Sequence, residues 1–311
     1  MINEIAYHSK EEWLALRKMM GIGGSDAGAV VGLNPYKSAY SLWAEKTGRV
    51  AEFEGNLTTE VGSYLEEFVA KLFERETGKR VRRKNRMLVN SDYPFAFADV
   101  DRLVVGERAL LEIKTTNSIP LMKKVRQGEF PEQYYAQCVH YLAVSGLEKA
   151  YLAVLIGCRD FRIFELERDE GEISALMEAE RSFWFDNVKA DAPPPADGSI
   201  STSETVTALY PESNDETVSL VAYEADLRQY MTYTALIKSA EKQRDEAAGR
   251  IKAFMKMSGK GEASGFRVSF ASSERRSFDA KLFAAEHPHM DLTKYYKNST
   301  YRTFKVIEVN I

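Results

Sequence analysis

The sequence predicts an α/β fold: a central mixed sheet flanked by helices, then a C-terminal long helix and a small β-hairpin extension. Three observations carry this reading. Residues 95–105 and 109–115 are rich in β-branched and aromatic side chains and are separated by Gly106, the pattern of a two-stranded ribbon. Residues 57–77 place Val61, Leu65, Phe68, Val69, Leu72 and Phe73 at helical spacing. Residues 219–257 set Tyr223, Leu227, Tyr230, Ile237, Ile251 and Phe254 near a heptad, though Thr234 and Glu241 interrupt it and argue against a true coiled coil.

The remaining elements follow in chain order. Residues 10–19 form a helix with Trp13, Leu14 and Leu16 inward and Arg17-Lys18 at its end. Gly21-Ile22-Gly23-Gly24 turns the chain, and Ser25-Asp26 caps a short helix through Val31. This is no dinucleotide fingerprint, because a helix precedes it and the glycine spacing is wrong. Helix N-termini nonetheless attract anions, which makes the segment a candidate phosphate site. After the ribbon, Pro131 suits the first position of a helix that packs through Tyr135, Val139 and Leu142. A hairpin (151–156 with 161–166) and a closing helix around 173–188 complete residues 1–190. The Pro-rich stretch 192–199 has linker composition, stiff and then flexible. The expected organisation is thus a domain over 1–190, a linker over 191–206 and an extension over 207–311. The extension adds a strand at 266–271, a short helix after Asp279 and a final strand at 301–309.

The ribbon concentrates chemistry. A two-residue turn at Gly106-Glu107 suits a type II′ hairpin and sets Asp101 directly opposite Glu112. Period-two alternation puts Lys114 on the face of Glu112, and Asp99 on the face of Asp101. Opposed Cβ atoms lie about 4.5–5.5 Å apart, so two carboxylates there repel unless a cation separates them. The arrangement is a candidate divalent-metal site with a lysine beside it. The competing reading is a solvated ribbon face. Asp279-Ala280-Lys281 has the same form but reads as a helix N-cap. Glu66 sits one turn after Gly62, whose missing side chain leaves space beside the carboxylate; the alternative is a surface glutamate like Glu67. Gln137 and Tyr141 share a helix face, where they can orient a water or a phosphate or simply form a polar edge.

Taken in order, the Glu66 helix, Asp101, Glu112-Ile113-Lys114 and the Gln137-x-x-x-Tyr141 helix resemble the PD-(D/E)XK nucleases. The segment GIGGSDAGAVVGLNPYKSAYSLWAEKTG at 21–48 narrows the resemblance to the YqaJ family of viral recombination nucleases, the group that includes the exonuclease of phage lambda. The tail from about Gly265, with SERRSFDAKLFAAEHP and STYRTFKV, resembles the ends of many such phage proteins, so the resemblance spans nearly the whole chain. It implies a restriction-endonuclease-like core. It also implies an exonuclease that degrades one strand of linear duplex DNA from the 5′ end, leaving a 3′ single-strand tail for recombination.

The resemblance assigns roles residue by residue. Asp101, Glu112 and the Ile113 carbonyl would hold Mg²⁺, a hard ion suited to oxygen ligands, with Mn²⁺ able to substitute. Glu66 would help hold a second ion. Lys114 would orient and help deprotonate the attacking water, and Gln137 would steady it. In relatives an arginine and a serine grip the DNA 5′ phosphate; Ser25 matches that serine, and either Arg17 or Lys18 the arginine. Asn34-Pro35-Tyr36-Lys37 resembles the family's loop into the next helix, its lysine facing either DNA or solvent. One departure is Val139, where relatives often carry a second glutamine. A homo-oligomer, a trimeric ring in relatives, and a phage single-strand annealing protein as partner are implied by the resemblance alone.

Composition sets bounds. The chain has 311 residues and 44% hydrophobic residues, enough for a sizeable core. No signal peptide and no membrane span are read, so the expected location is the cytoplasm of a bacterial host. Cys138 and Cys158 are expected as buried thiols in a reducing compartment, too few for an iron–sulfur cluster. The four histidines lack metal-ligand spacing. The net charge of −4 is unusual for a DNA binder, but the run from Lys79 to Arg86 is strongly basic. Arg82, Arg83 and Lys84 are its candidate DNA contacts, against the alternative of a charged edge strand. Two other functions stay open at this point: a DNA-end-binding or recombinase-loading protein with weak or silent nuclease, and a restriction-type endonuclease.

Overall fold

The computed structural model describes residues 1–51, 53, 55–297 and 301–308, with the backbone alone at Lys10, Lys18 and Met20. Strand β1 (Ile2–Ala6) leads to α1 (Lys10–Met20), where Ser9 caps the first turn by accepting from Glu12 N. Trp13 and Leu16 of α1 are half-buried, but Leu14 faces out, 45% exposed. Next come β2 (Ile22–Gly23), α2 (Gly24–Val30), α3 (Ala39–Lys46) and α4 (Leu57–Thr77). Asn56 starts α4 by accepting from Thr58 N and Thr59 N, and Gly78 ends it in the left-handed region at φ 71°.

Five short strands follow: β3 (Val81–Arg83), β4 (Arg86–Asn90), β5 (Ala96–Ala98), β6 (Arg102–Val104) and β7 (Ala109–Thr116). Helices α5 (Ile119–Arg126) and α6 (Glu132–Ser145) cross over to the hairpin of β8 (Lys149–Ile156) and β9 (Asp160–Glu167). Helix α7 (Glu170–Ser182) continues in wider π-type turns through Phe183–Lys189.

The main sheet is mixed, in the order β3-β6-β7-β8-β9, with β7 and β8 parallel and the other neighbours antiparallel. A parallel pair needs a long crossover, which α5 and α6 supply. Side chains of β7 alternate between two cores. Leu111 and Ile113 meet α4 through Val69, Leu72 and Phe73, while Leu110 belongs to the core under α6 and α7. Only the C-terminal half of the α4 stripe is buried; Val61 and Phe68 are 45% and 52% exposed.

The expected strand over 95–105 is two strands in two sheets. Strand β5 joins a second sheet, β1-β4-β5-β2, and β6 joins the main one. Asp99 lies in the break, where its carboxylate accepts from Tyr7 Oη at 3.0 Å and Trp13 Nε1 at 2.5 Å. Those contacts tie it to Tyr7 and to Trp13 of α1. Behind α6, His140 is fully buried; it donates from Nδ1 to Glu180 at 2.8 Å and from Nε2 to the Phe97 carbonyl at 2.8 Å. Burial opposes a charged ring, but the Glu180 carboxylate outweighs it and raises the His140 pKa. Cys138 is buried as expected, whereas Cys158 is exposed.

After the proline run the chain forms α8 (Ile200–Leu209), so the stretch expected as a linker contains the first turns of a helix. Helix α8 docks on α3 by hydroxyls: Ser201 Oγ is 2.6 Å from Ser41 Oγ, and Thr202 and Thr205 donate to Ser38 and Ser41 at 2.8 Å each. Residues Met1–Tyr210 form one compact unit and Pro211–Ile311 a second. The second unit holds α9 (Glu224–Met255), the hairpin of β10 (Lys260–Ala263) and β11 (Phe266–Ser269), and α10 (Ala280–Glu286). Asp279 caps α10 through Lys281 N and Leu282 N, which settles its helix-cap reading. Residues 301–308 form no strand, and 309 lies outside the described residues. No helix among the described residues is long and apolar enough to cross a membrane.

Candidate active site

Strands β6 and β7 pair Arg102 with Leu111 and Leu103 with Leu110. One step further along that register, Asp101 stands opposite Glu112. Gly106 has φ 84°, as a two-residue turn led by glycine requires. Asp101 Oδ2 accepts from Ile113 N at 2.8 Å, which pins this carboxylate to the backbone beside Glu112. Lys114, two residues on, returns to the same face and brings Nζ to 2.5 Å from Glu112 Oε1.

Helix α6 closes the site from above. Gln137 Nε2 donates to the same Oε1 at 2.8 Å and to Tyr141 Oη at 3.0 Å. Glu112 is only 2% exposed, and its other oxygen, Oε2, is buried with no hydrogen-bond partner. An unpaired buried carboxylate oxygen is costly, so it calls for a ligand. Lys114 Nζ also lies 5.3 Å from the centroid of the Tyr134 ring, whose face steadies the ammonium.

The electrostatics agree with the geometry. Burial, and then the charge of Asp101, push the Glu112 pKa up to about 8. Asp101 is raised too, chiefly by burial and against the pull of Lys114. Burial alone would discharge Lys114, but Glu112 and Asp101 overcome it and keep the amine charged. Two carboxylates that resist ionising together, one with an unpartnered oxygen, form a donor set that a hard cation fits.

Glu66 is placed differently. By the alternation of β6, Arg102 points to the α4 side of the sheet, opposite to Asp101. There its guanidinium, 5% exposed, lies 4.0 Å from Glu66 Oε2 and 3.3 Å from Glu67 Oε2, and it donates to the Asp101 carbonyl at 2.7 Å. Glu66 feels burial and the charge of Asp101, both raising its pKa, but its direct partner is Arg102. Among the described residues no three His, Cys, Asp or Glu side chains stand close enough to share an ion. An added Cβ on Gly62 would meet Thr115 Oγ1 at 3.5 Å and no other atom within 4 Å among the described residues.

The sequence model of the YqaJ-like viral recombinase domain matches residues 12–148, which span this site. The uncharacterized protein YqaJ of Bacillus subtilis (strain 168) is 38% identical over 307 residues, covering 97% of this chain and 95% of that protein. The chain belongs to the YqaJ family. The crystal structure of an alkaline exonuclease, LHK-Exo, from Laribacter hongkongensis matches with a TM-score of 0.50 at 20% identity, over 58% of this chain and 94% of that one. The same figures hold for LHK-Exo in complex with dAMP. The core is therefore restriction-endonuclease-like.

In this YqaJ-family chain the glycine-rich segment makes close contacts. A Cβ on Gly24 would fall 2.3 Å from the Tyr141 ring, and one on Gly28 3.2 Å from the Gln133 backbone, so α2 can lie against α6 only with glycines there. Ser25 is thereby set beside Arg17, whose Nη2 donates to Ser25 Oγ at 3.2 Å. The Arg17 guanidinium is stacked 4.7 Å over Trp13. Its charge reaches both Asp26 and Tyr141. The Lys18 side chain lies outside the described residues. Asp26, not Ser25, caps α2, accepting from Gly23 N at 3.2 Å. It also pairs with Lys46 at 2.8 Å, and although burial opposes its charge, Lys46 and Arg17 hold its pKa down.

The basic run forms β3, an edge strand of the main sheet. Arg82 and Arg83 are exposed, Arg83 3.1 Å from Glu67, and Lys84 is paired with Glu4. Lys37 is tied to Glu45 at 2.6 Å. Sequence reasoning missed Arg102, Lys46 and Tyr134. Arg102 had a signal, since an arginine inside an apolar strand must find partners.

Proposed function

We propose that this YqaJ-family protein is a divalent-metal-dependent exonuclease that digests one strand of linear duplex DNA from its 5′ end and leaves a 3′ single-strand tail. The observation that carries the reading is Glu112: buried, opposite Asp101, with one oxygen shared by Lys114 and Gln137 and the other unpartnered. Asp101, Glu112 and the Ile113 carbonyl would hold Mg²⁺, or Mn²⁺ in its place, and Glu66 would join a second ion after leaving Arg102. Bound there, the ions supply Lewis-acid stabilisation of the attacking and leaving oxygens of an in-line displacement.

The chain's own groups do the rest. Lys114, held charged by two carboxylates and faced by Tyr134, orients the attacking water, and its positive charge favours that water's loss of a proton to solvent. Gln137 fixes both Glu112 and Tyr141 and so keeps the water's surroundings from shifting. Arg17 and Ser25 bind the 5′ phosphate by charge-assisted hydrogen bonds, which sets the polarity of digestion. Arg82, Arg83 and Lys84 follow the duplex backbone once DNA displaces the Arg83–Glu67 and Lys84–Glu4 pairs, which are individually weak. The same reading includes a homo-oligomer, a trimeric ring in form, around the duplex and transfer of the tail to a single-strand annealing protein. Incubating linear and circular duplexes with Mg²⁺ tests it: nucleotides released from linear DNA alone support an exonuclease. Discrete fragments would indicate an endonuclease, and binding without loss of DNA a protein that only holds ends.

A further inference from the structure

The hairpin that follows α9 carries chemistry the nuclease site does not use. Its register sets Phe266 opposite Ala263 and Val268 opposite Gly261 on one face, and Phe270 N continues the pairing by donating to Gly259 O at 2.9 Å. Bulky side chains of β11 thus stand beside bare positions of β10. Met255, the last residue of α9, packs against Gly261 and anchors the middle of the ribbon. The aromatic ends project: Phe266 is 73% exposed and Phe270 45%.

Cations lie on both faces of this hairpin. Lys252 Nζ lies 5.8 Å from the centroid of the Phe270 ring. On the opposite face, Lys260 is exposed and the Arg267 side chain is 91% exposed, 3.7 Å from Glu262. From Arg250 to Arg276 the chain has seven Lys or Arg and two Glu, in a protein whose net charge is −4. Two exposed rings on one face of a cation-rich hairpin, one of them beside Lys252, complement a flexible polyanion with free π-faces. A duplex keeps its base faces stacked inside and offers the rings nothing. A protein partner would need the cations matched by acidic groups.

We propose that the β10–β11 hairpin binds single-stranded DNA, with Phe266 and Phe270 stacking on unpaired bases and Lys252, Lys260 and Arg267 neutralising phosphates. Both rings stack without base preference, so the site is sequence-tolerant. The inference goes beyond the nuclease reading and stands whether or not the chain cuts DNA.

The test uses the full-length protein in EDTA, so that no strand is cut, and fluorescein-labelled oligothymidylate of about 30 nucleotides, long enough for a site of ~4–16. Binding is followed by anisotropy across a salt series. Phe266→Ala and Phe270→Ala should each weaken binding about tenfold while the melting temperature and the affinity for blunt duplex stay unchanged. Lys252→Gln with Arg267→Gln should flatten the slope of log K against log salt by about 1.4, roughly 0.7 for each phosphate that is no longer neutralised. Glu112→Ala should keep the oligothymidylate affinity, which separates this site from the carboxylates of the nuclease centre. Unchanged affinity in both phenylalanine variants overturns the proposal, as does loss of oligothymidylate binding in Glu112→Ala alone. A phenylalanine variant that changes the assembly's mass but not its DNA affinity marks the face as a self-contact and overturns it equally.

Discussion

Gln137 and Tyr141 lie one helical turn apart on α6, and the Gln137 amide bridges the Tyr141 phenol and the Glu112 carboxylate at 3.0 and 2.8 Å. Through Tyr141 the same chain of contacts reaches Gly24, and the next residue, Ser25, meets Arg17. Helix α6 therefore connects the carboxylates that would perform hydrolysis to the pair that would hold the DNA end.

Replacing either opposed carboxylate tests the metal assignment. Glu112→Ala or Asp101→Ala should abolish Mg²⁺-dependent release of nucleotides from linear duplex while leaving the melting profile and DNA binding largely intact. Ca²⁺, whose looser coordination suits the site less well, should support binding without turnover in the unaltered protein. Near-normal digestion by either variant would remove these residues from the centre.

Protonation gives an independent handle. Glu112 ordinarily titrates near 4.5 and in the folded chain near 8, raised by burial and by Asp101. Between those values the folded state binds a proton that the unfolded state has released, so this group's contribution to stability falls as pH rises through that window. Mg²⁺ needs the ionised carboxylate and should displace the proton. Calorimetry should show a metal-free melting temperature that drops from about pH 5 to about pH 8, and a larger Mg²⁺-induced rise near pH 8 than near pH 6. A Mg²⁺ effect independent of pH would exclude Glu112 as the titrating ligand.

Lys114→Ala keeps both carboxylates but removes the charge beside the water. The rate should fall about 10²–10⁴-fold, the usual contribution of an acid–base group. Mg²⁺ affinity measured by titration calorimetry should hold or increase, since a competing cation has left Glu112. Loss of metal binding in place of rate would make Lys114 structural.

End recognition is read from two substrates. Linear DNA with 5′-phosphate ends should be degraded faster than the same DNA with 5′-hydroxyl ends, because charge-assisted hydrogen bonds contribute roughly 1.5–3 kcal/mol each. Arg17→Ala should shrink that difference; should Lys18 be the main contact, Lys18→Ala will shrink it more. Equal initial rates for both ends in the unaltered protein would sink the phosphate pocket.

Two glycines should respond oppositely to a methyl group. Gly24→Ala drives a Cβ to 2.3 Å from the Tyr141 ring, and overpacking of this kind costs about 1–3 kcal/mol. Gly62→Ala meets only Thr115 Oγ1 at 3.5 Å and, inside α4, should stabilise by roughly 0.5–1 kcal/mol. Thermal melting of the two variants decides it, and a destabilised Gly62→Ala would show that the position does not tolerate a methyl group.

Local rules made the ribbon and α4 readable in advance. A two-residue turn fixes the β6–β7 register, and Asn56 and Gly78 mark the ends of α4. Distant contacts hid the rest. Nothing near Asp99 announces that Tyr7 and Trp13 will hold it and split the strand. Strands β1 and β2 exist because β4 and β5 offer them edges, not because of their own pattern. Glu66 has the right spacing for a ligand, but its placement was decided by Arg102, an arginine whose burial only the assembled sheet reveals. Residues 301–308 have strand-like composition but form no strand.

The hydroxyl clasp between α3 and α8 has a consequence for the order in which the protein is made. Ser41 and its partner Ser201 are 160 residues apart in the chain, so α3 leaves the ribosome long before the hydroxyls that will pair with its own. Until α8 emerges, the Ser38 and Ser41 side chains have only water and each other. The N-terminal unit can therefore finish folding only when about two-thirds of the polypeptide has been synthesised, after both opposed carboxylates are already in the chain.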